Sequence, residues 1–471
     1  MKKTVAISVE PRCFSDDEVP EGWKLVTILN ACEVNPPKPP RDFLPADAPV
    51  TFVPMPAVDA DMGAITNPEI KPYLEVRNGF TSFRDGDVIM AKITPCMENG
   101  KAAIVRGMKN GIGFGSTEFH VMRSRGEILP EYLFYYIRQK SFRNEAESHF
   151  TGSVGQKRVP TDFIKQSVIP LPPLAEQRRI VARIEALLSH VDAAGDRLSR
   201  VPLIMKRFRQ AVLAAACSGR LTEEWREDKD NFEDPKLLLQ DIQNYRLQHG
   251  INKIKIDSKV NITENPIEIP NTWIWSTIEK IADISGGIQK QPMRAPQRNF
   301  YPYLRVANVL RGSLDLHEIK NMELFAGELE RYHLELNDIL IVEGNGSFSE
   351  IGRSAIWNGE IENCVHQNHI IRVRVRKFLP QYVNLYWNSP LGSELSSGAA
   401  VTTSGLYTLS TKKIAQLPIP LPPISEQHEI VRRVGLLFER ADAIEREVVA
   451  AGRRCERLTQ AVMIKAFSGR L

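Results

Sequence analysis

A repeat constrains this chain more than any other feature. Residues 170–221 open with PLPPLAEQRRIVARIEALL and close with SGRL, while residues 420–471 open with PLPPISEQHEIVRRVGLLF and also close with SGRL. The two stretches align without a gap at an offset of 250, with 21 of 52 positions identical. The same offset recurs upstream, where Val19-Pro20-Glu21-Gly22-Trp23 matches Ile269-Pro270-Asn271-Thr272-Trp273. Leu129-Pro130-Glu131-Tyr132 likewise matches Leu379-Pro380-Gln381-Tyr382, and Asp87-Val88-Ile89 matches Asp338-Ile339-Leu340 with a one-residue slip. Several matches at one offset imply duplication of an entire unit, a globular domain followed by a helical segment. The expected division is 1–169, 170–221, 222–268, 269–419 and 420–471.

Composition narrows the class. Apolar residues make up 42 % and charged residues 25 % of the 471 positions, which excludes a mostly disordered chain. No apolar stretch approaches the ~20 residues that cross a bilayer, and the start Met1-Lys2-Lys3-Thr4-Val5-Ala6-Ile7 lacks the apolar core of a signal peptide. The cysteines, at 13, 32, 96, 217, 364 and 455, contain no C-x-x-C, so a disulfide framework and a structural zinc site are disfavoured and a cytoplasmic location is expected. The net charge of 61 − 57 = +4 does not by itself point to nucleic acid.

Each globular domain reads as α+β. Asp87-Val88-Ile89-Met90-Ala91-Lys92-Ile93 and Ile370-Ile371-Arg372-Val373-Arg374-Val375 are strand-like, the second with period-two alternation, and a helix is expected from Glu131 to Lys140. Between the repeats, 222–268 opens with an acidic, turn-prone stretch and continues into a helix expected from Pro235 to His249.

The helical segments carry apolar residues spaced alternately four and three apart. In the first these are Ile180, Ile184, Leu187, Val191, Ala194, Leu198, Val201, Met205, Phe208 and Val212; in the second, Ile430, Val434, Leu437, Ala441, Ile444, Val448, Ala451, Cys455, Leu458 and Val462. A period of 3.5 over four heptads predicts a coiled-coil seam rather than an ordinary amphipathic helix. A kink is expected at Pro202 and at its counterpart Gly452. Two such helices in one chain can pair about a pseudo-two-fold axis, and antiparallel pairing is favoured because a parallel pair would force the linker to run back the full length. Two heads held apart by a rod would result.

P-L-P-P-x-x-E-Q followed by a long heptad helix, twice, at the ends of two divergent domains, resembles the specificity subunits of type I restriction-modification enzymes. The runs Gly86-Asp87-Val88-Ile89-Met90-Ala91-Lys92-Ile93-Thr94-Pro95-Cys96, Asn337 to Ser347 and Arg207-Phe208-Arg209-Gln210-Ala211-Val212-Leu213 resemble it too, so the likeness covers nearly the whole chain. The resemblance implies that each domain is a target-recognition domain for one half of a split double-stranded DNA site. It also implies that the helices space the domains and dock modification subunits, two in number, and restriction subunits. It places no cofactor in this chain; S-adenosylmethionine, ATP and Mg²⁺ are expected in the partner subunits.

Charge supports a DNA-facing half in the first domain. Residues 1–76 carry 7 basic and 12 acidic side chains, whereas 77–158 carry 13 and 8, the footprint expected of phosphate contact. In the second domain, 280–377 has 13 against 12, with no such segregation. Polar loops supply the candidate DNA contacts: Lys92, Thr94, Asn99, Lys101, Arg106, Ser116, Thr117, Gln156, Lys157 and Arg158 in the first domain. In the second they are Asn345, Ser347, Arg353, Gln367, Asn368, Thr402, Thr403, Ser404 and Tyr407.

Enzyme motifs are incomplete. Asn35-Pro36-Pro37-Lys38 has the shape of an amino-methyltransferase N-P-P-aromatic loop, but Lys38 cannot stack on a flipped base, and the stretch reads as an extended proline loop. No G-x-G-x-x-G follows a strand, Glu69-Ile70-Lys71 and Glu318-Ile319-Lys320 have no Pro-Asp partner, and Gly100-Lys101-Ala102 lacks the rest of a phosphate loop. Cys364, His366 and His369 do not share one strand face, so no metal site is expected. A non-catalytic DNA-specificity subunit is the reading chosen over a coiled-coil protein scaffold and over a DNA methyltransferase or nuclease.

Overall fold

The 3.5-residue apolar period and the proline-led starts of the two repeats become two helices of 44 residues each, Leu174–Cys217 and Ile424–Phe467, each about 66 Å long at 1.5 Å per residue. In this computed structural model the described residues are 19–153, 156–248, 266–345, 350–403 and 406–471. They divide into two units: one holds the chain to Ser199 together with Val448–Leu471, the other Arg200–Glu447.

In the first unit one four-stranded antiparallel sheet runs Cys32–Val34, Phe119–Ser124, Val88–Ala91, Ala102–Ile104. Val88–Ala91 is an unbroken apolar run because all four residues are buried inside that sheet. A second sheet runs Glu69–Pro72, Pro49–Val53, Ile112–Gly115, Thr81–Arg84, and its middle pair is parallel. Helices Pro130–Arg138, Lys140–Ser148 and Thr161–Gln166 follow. The helix expected over Glu131–Lys140 thus ends at Arg138 and a new one begins at Lys140, with Pro130 at its first turn where the missing N–H costs nothing.

The second unit repeats this frame. Its four-stranded sheet runs Ala282–Gly286, Ile370–Val375, Ile339–Val342, Ser354–Ile356, all antiparallel. Ile339–Val342 occupies the place of Val88–Ala91, so the one-residue slip is accommodated without loss of the pairing. In both frames an aspartate preceding this strand is buried and gripped by an arginine from the neighbouring strand. Arg123 Nε and Nη2 donate to Asp87 at 2.9 and 2.8 Å, and Arg374 Nε and Nη2 donate to Asp338 at 2.7 and 2.8 Å.

The duplicated P-L-P-P-x-x-E-Q has a structural job. Gln177 Oε1 accepts from Leu129 N–H at 2.8 Å while its amide donates to the Glu127 and Pro172 carbonyls at 2.8 Å. Gln427 accepts from Leu379 N–H at 2.9 Å and donates to the Pro422 carbonyl at 2.9 Å. Each glutamine therefore ties a long helix's first turn to the N-terminus of a domain helix. The prolines supply acceptors: Tyr132 Oη donates to Pro170 O at 2.7 Å, and Tyr382 Oη to Pro420 O at 2.8 Å.

Within each unit the start of one long helix packs against the end of the other, running antiparallel. In the first, Ile180, Ile184, Met463, Ala466 and Phe467 share a core, and Arg179 Nη1 reaches the Leu471 carbonyl at 3.2 Å. In the second, Val212, Leu213 and Ala216 pack with Ile430 and Val434, while Arg209 pairs with Glu445 at 2.8 Å. Leu187, Val191, Leu198, Phe208, Leu437 and Val448 are half-buried.

Two expected seam residues are not in it: Ile444 is 46 % and Leu458 54 % exposed. From Leu437 the inward positions run Leu437, Ala441, Glu445, Val448, with Glu445 held by Arg209. Two successive steps of four are a stutter, which relaxes the helix toward its natural period and rotates later heptad positions outward. Pro202 lies inside one uninterrupted helix.

The interval 222–268 is not simply a linker. Its acidic start forms a helix, Glu223–Glu227, instead of a turn. The helix expected from Pro235 runs to Gln248, with His249 outside the described residues. Ile242, 2 % exposed, joins the second unit's core, and Arg246 donates to the Glu279 and Ala282 carbonyls at 2.7 and 2.8 Å.

Candidate nucleic-acid interface

In the first unit the strand Val88–Ala91 delivers Lys92 to a crossing of three chain segments. Lys92 N–H donates to Glu118 O at 2.9 Å, and Lys92 O accepts from Val159 N–H at 2.8 Å. Thr94 N–H donates to Lys157 O at 3.0 Å, which binds the loop Gln156-Lys157-Arg158 to the same edge. Arg158 grips Glu118 through Nε and Nη2 at 2.9 and 3.0 Å, holding that carboxyl below the usual carboxylate range.

Beside the crossing, Asn35, Lys38, Ser82, Lys92 and Thr117 line an open hollow of about 260 Å³ over Phe80 and Phe119. Asn35 has φ 51°, a left-handed conformation that asparagine tolerates. Its Oδ1 accepts from Val121 N–H at 2.9 Å and its amide lies 3.3 Å from His120 Nδ1. His120 Nε2–H donates to Val159 O at 2.9 Å, so the ring is neutral, and burial pushes its pKa down.

Six expected contacts thus come together: Lys92, Thr94, Thr117, Gln156, Lys157 and Arg158. Ser116 adjoins them, its hydroxyl accepting from Glu118 N–H at 3.2 Å. The other three have different surroundings. Lys101 Nζ donates to Met55 O at 3.1 Å, Arg106 pairs with Glu131 at a helix start, and Asn99 lines a separate cavity of about 520 Å³ with Arg138 and Arg143. Sequence reasoning missed Asn35, Lys38 and Ser82, which only the fold brings beside Lys92; Lys38, set between Pro37 and Pro39, carries no local signal of that place.

The second unit builds the same crossing. Glu343 N–H donates to His369 O at 2.9 Å, and Glu343 O accepts from Leu409 N–H at 2.7 Å. Glu343 therefore stands where Lys92 stands, His369 where Glu118 does, and Thr408 where Arg158 does. His369 Nδ1 lies 3.5 Å from Glu343 Oε2. Gly344–Asn345 pairs with Leu406–Thr408, which pairs with Val401–Thr403, so the backbones of Asn345, Thr402, Thr403 and Tyr407 share one sheet. Gln367 opens a turn with Asn368 and His369 at its centre, closed by Ile370 N–H donating to Gln367 O at 2.9 Å. Gly287 passes so close that a Cβ there would lie 2.3 Å from His366 O. Ser347 and Ser404 lie outside the described residues.

Arg353 is a correction. It is 9 % exposed, and its guanidinium donates to the Val309 and Val306 carbonyls at 2.6 and 2.9 Å. It satisfies a buried turn rather than facing a ligand. Sequence reasoning also did not single out a hollow of about 450 Å³ where Lys290, Gln291 and Asn321 rim an apolar lining of Pro292, Pro296, Tyr303 and Met322, with Arg294 and Lys320 beside them held by Glu328 and Glu318.

His366 is fully buried. Its Nδ1–H donates to Ile370 O at 2.9 Å, and burial pushes its pKa down to about 4. Between the unfolded value near 6.5 and the folded value the unfolded chain binds the proton and the folded chain does not. The second unit should therefore lose stability as pH falls from about 6.5 to about 4, by on the order of 3 kcal/mol in all. Urea midpoints across this range test it: the wild type should slope and His366→Gln should be flatter, and equal slopes would remove the assignment.

Among the described residues no three His, Cys, Asp or Glu side chains cluster as a metal site, and no helix is long and apolar enough to cross a membrane.

The fold and its paired crossings define a duplicated recognition subunit, with two copies of one frame and different chemistry at the same place. The profile of the type I restriction modification DNA specificity domain matches twice, over residues 20–201 and 270–448. The EcoKI specificity subunit of Escherichia coli K12 is 33 % identical over 74 % of this chain and 68 % of its own length. The EcoAI specificity subunit of Escherichia coli is 28 % identical over 93 % of this chain and 81 % of its own. The crystal structure of the HsdS subunit from Thermoanaerobacter tengcongensis shares the fold, with 22 % identity, TM-score 0.57, and coverage of 96 % of this chain and 98 % of that one. A chain solved in a study of type I R-M complex assembly and conformational transition does so at 22 % identity and TM-score 0.67, over 96 % of this chain and 99 % of that one.

The chain belongs to the specificity subunits of type I restriction-modification enzymes. Its function is DNA sequence recognition within such a system, whose specificity subunits partner with modification and restriction subunits and with DNA.

Proposed function

We propose that this chain reads an asymmetric, two-part target on double-stranded DNA, one half-site per domain, and docks two modification subunits and the restriction subunits through its long helices. The observation that carries this reading is the paired crossing. One backbone arrangement bears Lys92, Glu118 and Arg158 in the first copy and Glu343, His369 and Thr408 in the second. A shared frame with exchanged donors and acceptors is what reading two different base sequences requires. The duplicated long helices, each tied to its own domain through Gln177 or Gln427, are what this reading gives the two modification subunits to dock on.

In this reading the chain contributes no catalytic step. S-adenosylmethionine, ATP and Mg²⁺ belong to the partner subunits, and the assembled enzyme works in the cytoplasm. Domain exchange tests it. Replacing residues 19–169 by the matching domain of a relative, with the modification subunits present, should change one half of the methylated motif and leave the other intact. If both halves changed together, or neither did, the assignment of one half-site per domain would fail. Methyl transfer to DNA by the purified chain alone would refute the non-catalytic role.

A further inference from the structure

The two crossings differ most in the residue that leaves the inner strand. Lys92 offers an ammonium with three donors and no acceptor, and Glu343 offers a carboxylate that only accepts. Arg158 is already engaged, its Nε and Nη2 edge held by Glu118 and its Nη1 donating to the Gln156 carbonyl, whereas Lys92 makes no ion pair among the described residues. Its neighbours Asn35, Lys38, Ser82 and Thr117 leave an open hollow of about 260 Å³, in which Lys92 is the lysine carried by the inner strand and Lys38 the one carried by the proline loop. In the second unit Glu343 keeps 29 % of its side chain exposed, with His369 alongside at 3.5 Å.

We propose that Lys92 and Glu343 are the specificity-determining residues of their half-sites, equivalent in position and opposite in chemistry. In the major groove, guanine presents two acceptors, O6 and N7, and suits a lysine. Cytosine presents the N4 donor and suits a carboxylate. Lys92 therefore selects guanine at one base pair of the first half-site, and Glu343 selects cytosine at one base pair of the second. This inference rests on the half-site reading above.

The test uses the full complex with its modification subunits, S-adenosylmethionine, and a DNA library with randomised half-sites, the methylated products being sequenced. For the wild type a split motif should emerge, with a G·C pair in each half; absence of any split motif would refute the half-site reading and this inference with it. Given that motif, Lys92→Gln should lose about tenfold or more of the discrimination at one position of one half. Lys92→Glu should turn the preference there from guanine to cytosine. Glu343→Gln and Glu343→Lys should act on the other half alone. The untouched half in each variant reports that the protein is folded. Unchanged motifs in these variants would overturn the inference while leaving the half-site reading intact. So would uniform weakening with a shallower salt dependence in Lys92→Gln, because that is the signature of a phosphate contact.

Discussion

Glu426→Ala is expected to cost the second unit about 3–5 kcal/mol, the penalty for removing one partner of a buried ion pair. The Glu426 carboxylate is fully buried, accepting from Thr222 Oγ1 at 2.7 Å, from Trp273 Nε1 at 2.8 Å and from Arg226 Nη1. Those donors come from the segment after the first long helix and from the start of the second domain. Loss of the carboxylate strands a guanidinium that is only 14 % exposed and a buried indole N–H together. The duplicate position, Glu176, sits in the same motif but keeps 31 % of its side chain exposed and, among the described residues, pairs only with Arg179, three residues on, at 2.7 Å. Glu176→Ala should accordingly cost about 1 kcal/mol or less. Hydrogen exchange on the full chain separates the units, because each opens with its own free energy. Protection in Pro235–Gln248 and Ile274–Thr277 should collapse in Glu426→Ala and survive in Glu176→Ala. Equal effects of the two substitutions would mean that the buried network does not anchor the segment between the repeats.

The same pair of glutamates shows what sequence can and cannot tell. The repeat, the long helices and the inner strand Val88–Ala91 were legible because each is a local pattern: a shared motif, an apolar period, an unbroken apolar run beside Asp87. That Glu426 is buried and Glu176 is not was illegible, because it depends on Arg226 and Thr222 folding back from beyond the helix. Ile444 and Leu458 misled for a related reason. They satisfy a heptad on paper, but one stutter after Leu437 turns them outward, and only the partner helix decides where a stutter is tolerated.

Among the expected DNA contacts, those flanking one crossing came together because strand pairing delivers them there, as with Lys92 and Arg158. Arg353 did not, since an arginine satisfying buried carbonyls looks the same in a sequence as one facing a phosphate. Lys38 was missed because nothing local says that a proline loop will lie beside Lys92.

Phe467→Ala should destabilise the first unit by about 3–5 kcal/mol, the usual cost of emptying a buried phenylalanine site. Phe467 is 1 % exposed and packs edge-on against Tyr132 and Tyr136, with ring centroids at 4.9 and 5.3 Å. At the offset of 250 its counterpart is Cys217, also 1 % exposed, where burial pushes the thiol up to about 12. The two cores divide their volume differently. The first combines Phe467 with Ile137, whereas the second combines Cys217 with Trp387, the residue matching Ile137. Large and small side chains have changed places between copies, so the volume lost at one position is made up at the other. Cys217→Ala, which removes a single atom, should therefore cost about 1 kcal/mol. Hydrogen exchange in Pro130–Arg138 for Phe467→Ala, and in Pro380–Trp387 for Cys217→Ala, measures the two losses separately. A loss at Cys217 as large as that at Phe467 would show that the exchange of volume does not balance the cores. The duplicates would then hold their common frame by the tyrosine, glutamine and aspartate hydrogen bonds alone.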